Sequence, residues 1–344
     1  MSDELDALLE QADLRYISTD IPGFQRKRWG RGFTYLDREG ETIRDDALRA
    51  WIECIAIPPA WEDVWISPYK NAHILATGRD AKGRKQYRYH PRWQELRNQN
   101  KFDDLVRFGT CLPHIREVTD SHLRKRTLNR QRVLALVVRL LETTLIRIGN
   151  NEYAQGNETY GLTTLEDDHV QINGSKLTFQ FVGKSGIDQT VNLRDPRLAR
   201  LVRACRDIPG YELFQYQDEH GNYQAIDSSD VNAYLNEITG EPFTAKVFRT
   251  WGASTMVVGV LSRLEAESDT DDREQQVKEA VKQVACELGN TVAVCRNYYI
   301  HPAIGETYIS DGLHTVLSKQ PVPQSPYDLK PEEAALVEII KNKS

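Results

Sequence analysis

HVQINGSKLTFQFVGKSGIDQTVNL, residues 169–193, is a β excursion inside a half of the chain that otherwise reads as helix. Asn173-Gly174 is a strong hairpin signal, because the favoured two-residue turn needs positive φ, which Asn and Gly adopt at little cost. Lys184-Ser185-Gly186 marks a second turn. Two turns divide the stretch into a small three-stranded sheet near 169–193. Set among helices, it makes the fold class α+β.

Working outward, Leu128 to Ile148 carries Val133, Leu136, Val137, Leu140, Leu141 and Leu145, an apolar stripe of period near 3.6 that predicts a helix ending at Arg147 and Ile148. Downstream, helices are expected from Pro196, near 228–238 and from 246 to about 265. The acidic run 267–276 reads as a solvated link or helix entry. The next helix, through Val277, Val281, Val284 and Leu288, stops at Gly289; a short one then starts near Asn290 and Thr291 and carries Tyr298 and Tyr299. A Pro-rich tail from Lys319 ends in a short amphipathic helix. Before residue 91 the pattern is mostly strand: 33–37, 63–68, 73–80 and 84–90, with one helix at 45–57. The expected domains are therefore a β-rich N-terminal one, 1–90, and a mainly helical one, 91–344.

At 344 residues the chain has room for two domains, and no apolar run approaches a membrane span. The five cysteines are scattered, with no C-x-x-C pair and no H-E-x-x-H, so neither a disulfide framework nor a zinc site is expected, and a cytoplasmic home is. The net charge of −6 conceals an uneven distribution. Residues 1–14 carry −5, residues 15–147 carry +10, and residues 148–344 carry −11. A basic segment in an acidic protein is the footprint of a polyanion-binding face.

Four features could carry chemistry. Taken singly, each has an ordinary reading. Arg147 is a helix-end cation, Lys184 a solvated hairpin tip, Arg249 one half of a surface ion pair, and the Tyr298-Tyr299 pair aromatic packing. Together they are an unusual set. The chain shows no paired carboxylates for hydrolysis, no acidic cluster for Mg²⁺ and no Walker lysine loop for nucleotide phosphates. Arginines, a lysine, an amide and a tyrosine suit phosphoryl transfer with the protein as nucleophile. Tyrosine attacks a phosphodiester, guanidiniums clamp the nonbridging oxygens, and lysine protonates the leaving oxygen. No metal or cofactor is required by such a set.

Five ordered blocks carry a family resemblance: DAKGRKQYRYHPRW (80–93), IRIGNNEYAQGNETYGLTTL (146–165), FVGKSG (181–186), KVFRTWGAS (246–254) and LGNTVAVCRNYYIHP (288–302). With them the chain resembles the type IB DNA topoisomerases, in particular the small poxvirus-like enzymes of bacteria. The resemblance implies that Tyr299 is the nucleophile, Arg147 and Arg249 the phosphate clamps, and Lys184 the general acid. Asn290 stands where many members have histidine; its amide can donate a hydrogen bond but brings no charge. Tyr298 is left to packing or a rim contact.

The resemblance further implies a monomer that clamps duplex DNA between its two domains and needs neither nucleotide nor membrane. Expected DNA contacts are Arg84, Gln86, Tyr87 and Tyr89 on one strand, then Arg124, Lys125, Arg126 and Arg130, with Tyr153 and Asn157 lining the surface. The rival is a tyrosine recombinase performing strand exchange. Against it stand the KVFR block, which lacks the histidine recombinases place before that arginine, and the β-rich N-terminal region.

Overall fold

The computed structural model describes residues 9–10, 12–81, 83–150, 154, 156, 158–264 and 270–343. Packing divides the chain into residues 1–101 and 102–344.

The first unit is a five-stranded antiparallel sheet in the order β2-β1-β3-β4-β5. Its strands are β1 (Phe24–Trp29), β2 (Gly32–Leu36), β3 (Glu62–Ile66), β4 (Ile74–Arg79) and β5 (Lys85–Tyr89). Between β2 and β3 runs helix α1 (Asp46–Cys54), whose N-cap Asp45 accepts from the Leu48 amide. The pattern of four strands and a helix is as expected, and β1 is added to it. FQRKRW has too little apolar content to announce a strand, yet it pairs with β2 at five positions. Ile52 of α1 and Ile55 at its C-cap pack with Val64, Ile66 and Ala76 on one sheet face.

Helix α2 (Pro91–Leu123) begins where the strand pattern stops, but its first turn packs Trp93 with Leu9, Ala12 and Leu14 of the N-terminal segment. The packing division accordingly falls inside this helix rather than at residue 90.

The second unit is built around α3 (Arg130–Thr144). Its expected apolar stripe is present, but Leu134, Ala135 and Val138 are also fully buried. A helix apolar on all sides belongs at the centre of a core. The three-stranded sheet follows, in the order β6-β7-β8: β6 (Val170–Asn173), β7 (Lys176–Gly183) and β8 (Ile187–Arg194). Gly174 takes the positive φ of 57° that the Asn-Gly turn requires. Then come α4 (Pro196–Arg206), a short hairpin β9 (Gln215–Gln217) and β10 (Tyr223–Ala225), α5 (Ser228–Thr239) and α6 (Lys246–Leu261). The chain closes with α7 (Thr270–Glu287), α8 (Val292–Tyr298), α9 (Pro302–Ile309), α10 (Leu313–Ser318) and α11 (Pro331–Lys341). The hairpin β9–β10 and helices α9 and α10 add to the elements expected from sequence. Among the described residues no helix is long and apolar enough to cross a membrane.

Candidate active site

Arg249 lies in the first turn of α6 and is only 5% exposed. Its guanidinium donates to the Leu145 carbonyl and, at 3.0 Å, to the Leu288 carbonyl. The first carbonyl is presented because α3 stops early. The helix was expected to reach Ile148; it ends at Thr144, and Leu145 turns into the left-handed region at φ 53°. That conformation costs a non-glycine residue about 1–2 kcal/mol. It is held by packing: Leu145 lies so close to Gly252 of α6 that a Cβ there would come within 2.5 Å of its side chain. Arg147 therefore stands beyond the helix, in an irregular loop, and not on its last turn.

A second segment fixes that loop. The Arg147 carbonyl accepts from the Leu162 amide at 2.8 Å, and the Ile148 carbonyl accepts from the Thr163 amide at 2.7 Å. Gly149 and Gly161 let the two backbones meet, since a Cβ on Gly161 would sit 2.5 Å from both the Arg147 oxygen and the Gly149 nitrogen. The YGLTTL part of the block is thus the cradle of Arg147. The Arg147 side chain donates to Asn290 Oδ1 at 2.5 Å. Asn290 is placed by the end of α7, where Gly289 adopts φ 61°. Two buried donors in this cluster, Arg249 Nε and Asn290 Nδ2, have no hydrogen-bond partner among the described residues. Unpaired buried donors are rare in folded proteins and ask for an acceptor from outside.

Tyr299 follows α8, a short helix capped by the Thr291 hydroxyl, which accepts from the Val294 amide. Ser254 of α6 pins its backbone, donating to the Tyr299 carbonyl at 3.0 Å and accepting from the His301 amide at 3.2 Å. The Arg249 guanidinium carbon stands 5.4 Å from the Tyr299 ring centroid. Burial pushes the phenol up, but the charges of Arg249 and Arg147, a hydrogen bond from Arg249 and the charge of Lys246 outweigh it, holding Tyr299 below the ordinary tyrosine value. Burial and the neighbouring charge of Arg147 in turn bring Arg249 down to about 10. Tyr298 is 49% exposed, so the adjacent tyrosines are sorted by environment.

Lys184, at the tip between β7 and β8, lines a small concave pocket with Arg147, Arg249, Tyr160 and Gln189. Tyr299 is not one of its walls; Arg249 is common to the pocket and the tyrosine. The structure thus brings together Arg147, Arg249, Asn290 and Tyr299, with Lys184 across the pocket. Sequence reasoning missed three neighbours. Lys246 lies one turn before Arg249, in a KVFR block read for its arginine and its missing histidine. Ser254 lies in the same block. Gln189, on β8, rests against Gly289, where a Cβ would meet its amide at 2.6 Å.

The expected DNA contacts fare unevenly. Arg84 and Gln86 are drawn inward to Asp80, at 2.8 and 2.9 Å. Tyr87 and Tyr89 stack at 5.8 Å between centroids and stay 43% and 37% exposed. Arg124 pairs with Asp120 and Arg130 with Asp230, each at 2.7 Å, while Lys125 donates to Gln131. Arg126 is exposed. Tyr153 and Asn157 lie outside the described residues. No group of three or more potential metal ligands occurs among the described residues.

Comparisons with known proteins extend over both units. Residues 90–310 match the family model of the eukaryotic DNA topoisomerase I catalytic core, and residues 32–80 match that of the bacterial DNA topoisomerase IB N-terminal domain. DNA topoisomerase 1B of Acanthamoeba polyphaga mimivirus is 31% identical over 289 residues, covering 81% of this chain and 85% of the relative. DNA topoisomerase 1B of vaccinia virus (strain Copenhagen) is 24% identical over 250 residues, 72% of this chain and 76% of the relative. Among solved structures, the XerH site-specific recombinase bound to its palindromic difH substrate aligns at a TM-score of 0.37 with 16% identity, covering 55% of this chain and 47% of that one.

Proposed function

The chain belongs to the type IB DNA topoisomerase family, and from that premise we propose that it relaxes supercoiled duplex DNA through a transient phosphotyrosyl bond. One observation carries the reading: two guanidiniums, unpaired with any carboxylate among the described residues, converge on one half-buried phenol. Two like charges in a low-dielectric site repel, and a phosphodiester supplies the missing anion.

In this reading the scissile phosphate sits between Arg147 and Arg249. The partnerless Arg249 Nε and Asn290 Nδ2 donate to its nonbridging oxygens. Tyr299, already acidified, loses its proton to water and attacks phosphorus. The bond to the 5′ oxygen breaks, and Lys184 donates a proton to that oxygen. A 3′-phosphotyrosyl link and a 5′-hydroxyl result. The strand swivels about its intact partner, and the hydroxyl reverses the attack. The phosphoester energy is conserved in the covalent link, so the cycle calls for no ATP. One copy supplies every residue of the set, so in this reading a monomer suffices for the cycle.

Plasmid relaxation in EDTA without nucleotide tests the proposal, together with trapping of a protein–DNA adduct and mapping of its attachment. Relaxation with the adduct on Tyr299 is expected. Absence of relaxation, or an adduct on Tyr298, contradicts it. Exchange of strands between two duplexes, in place of relaxation, would instead identify a recombinase.

A further inference from the structure

We propose that the β1–β2 hairpin is an arm that grips duplex DNA, with the Trp29 indole at its tip laid against the bases. The proposal rests on the reading that duplex DNA is the substrate. β1 pairs with β3 only through Phe24 and Gln25, whereas it pairs with β2 out to Trp29 opposite Gly32. From Arg26 onward the hairpin therefore outruns the sheet as a two-stranded ribbon, reaching about 10 Å further at roughly 3.4 Å per residue.

Its root is anchored and its tip is not. Arg26 donates to the carbonyls of Ile57, Pro58 and Trp61 at 3.2, 3.1 and 2.6 Å and lies 4.1 Å above the Phe33 ring. Beyond it, Lys27, Arg28, Trp29 and Arg31 are all exposed, Trp29 to 73%. None of the three cations makes an ion pair among the described residues. That sets them apart from Arg84, Arg124 and Arg130, whose charges are met internally.

The register supplies an independent argument. Gln25 faces Trp65, Trp65 faces Thr77, and Thr77 faces Tyr87. Paired residues share a face and alternate residues return to it. Lys27 and Trp29 thus lie on the same sheet face as Tyr87 and Tyr89, opposite the face that packs on α1. A two-stranded ribbon fits the major groove of B-DNA, about 12 Å wide. Seated there, cations on the ribbon reach flanking phosphates, while the indole loses its water against base edges. The indole, 73% exposed, offers apolar area whose burial against a partner is favourable.

The test uses the full chain and a fluorescein-labelled duplex, with affinity measured across a salt series. Trp29→Ala should weaken binding about tenfold, as expected for a central tryptophan anchor. Combining Lys27→Gln, Arg28→Gln and Arg31→Gln should reduce the slope of log affinity against log salt by roughly 2–3, at about 0.9 for each phosphate no longer neutralised. A photoreactive benzoylphenylalanine in place of Trp29 should crosslink to the duplex, and one in place of Tyr211, 85% exposed in the acidic half, should not. Wild-type affinity and slope in both variants would overturn the proposal, as would equal crosslinking from both positions. So would a fall in affinity matched by a lowered unfolding midpoint, which assigns Trp29 to the fold. Failure of the DNA reading is separate: the wild-type chain would then form no adduct at Tyr299.

Discussion

Arg116 and Arg249 are equally buried, each 5% exposed, and they differ in what meets the charge. Arg116 on α2 holds Glu142 of α3 at 2.7 Å and Glu333 of α11 at 2.6 Å, and also donates to the carbonyls of Tyr327 and Asp328. Burial works to lower it, but the two carboxylates prevail and hold it above the ordinary arginine value. Arg249 meets two carbonyl dipoles, the Tyr299 phenol and a second guanidinium, with no carboxylate paired to it among the described residues, and it is brought down to about 10. One region has its countercharge built in and serves as a clasp for the C-terminal helix. The other leaves its countercharge to be supplied by a ligand. Burial of an arginine does not reveal a site; burial without a carboxylate does.

The sharpest way to break that contrast is to remove each arginine and compare stability. Arg116→Met should cost about 3–5 kcal/mol, because it leaves the buried Glu333 carboxylate without a cation and Glu142 with Arg139 alone. Arg249→Met should cost on the order of 1 kcal/mol, the loss of two hydrogen bonds being offset by removal of an unmatched charge. Urea unfolding of both variants without DNA checks this, and equal losses would abolish the distinction. For adduct formation the order reverses. Arg249→Ala should slow it by about 10²–10³, the usual effect of deleting one preorganised donor, as read in single-turnover trapping. Arg116 has no place in that chemistry.

A smaller effect probes the cradle. Gly161→Ala places a methyl 2.5 Å from the Arg147 carbonyl and must push that loop aside. A displacement of about 1 Å at a reacting group can cost about 10² in rate, so single-turnover cleavage should fall by that order with DNA binding largely kept. Smaller still is Asn290→Ala, which removes one neutral donor. It should slow cleavage by about tenfold; Asn290→His, which restores a donor able to carry charge, should be faster than Asn290→Ala.

Much of this was legible in the sequence, and the gaps have identifiable causes. The Asn173-Gly174 turn is local chemistry, and it announces the three-stranded sheet. β1 was hidden because its alternation is carried by arginine and lysine, with only Phe24 and Trp29 apolar. The three-residue strands QYQ and YQA are too short to show a period. Residue types at the site were readable from spacing, but their support was not. Leucine is a poor left-handed residue, so nothing in LETTLIRIG announces that Leu145 ends the helix and offers its carbonyl to Arg249. The capture of Arg84 and Gln86 by Asp80 depends on a turn that returns the Arg84 amide to Asp80 at 3.0 Å, a geometry that composition does not carry.

The claim at the centre is that unpaired guanidiniums make the Tyr299 phenol acidic before any DNA arrives. NMR titration of ring-carbon-labelled tyrosine in the DNA-free chain, with Tyr299→Phe to assign the signal, measures it directly. A depressed value favours the charged phenolate in the fold, and deleting a cation must raise it. Tyr299 should titrate below the ordinary value of 10.0 in the wild type and move upward in Arg249→Gln. A Tyr299 that titrates at or above that ordinary value in the wild type, and stays there in Arg249→Gln, would contradict the account.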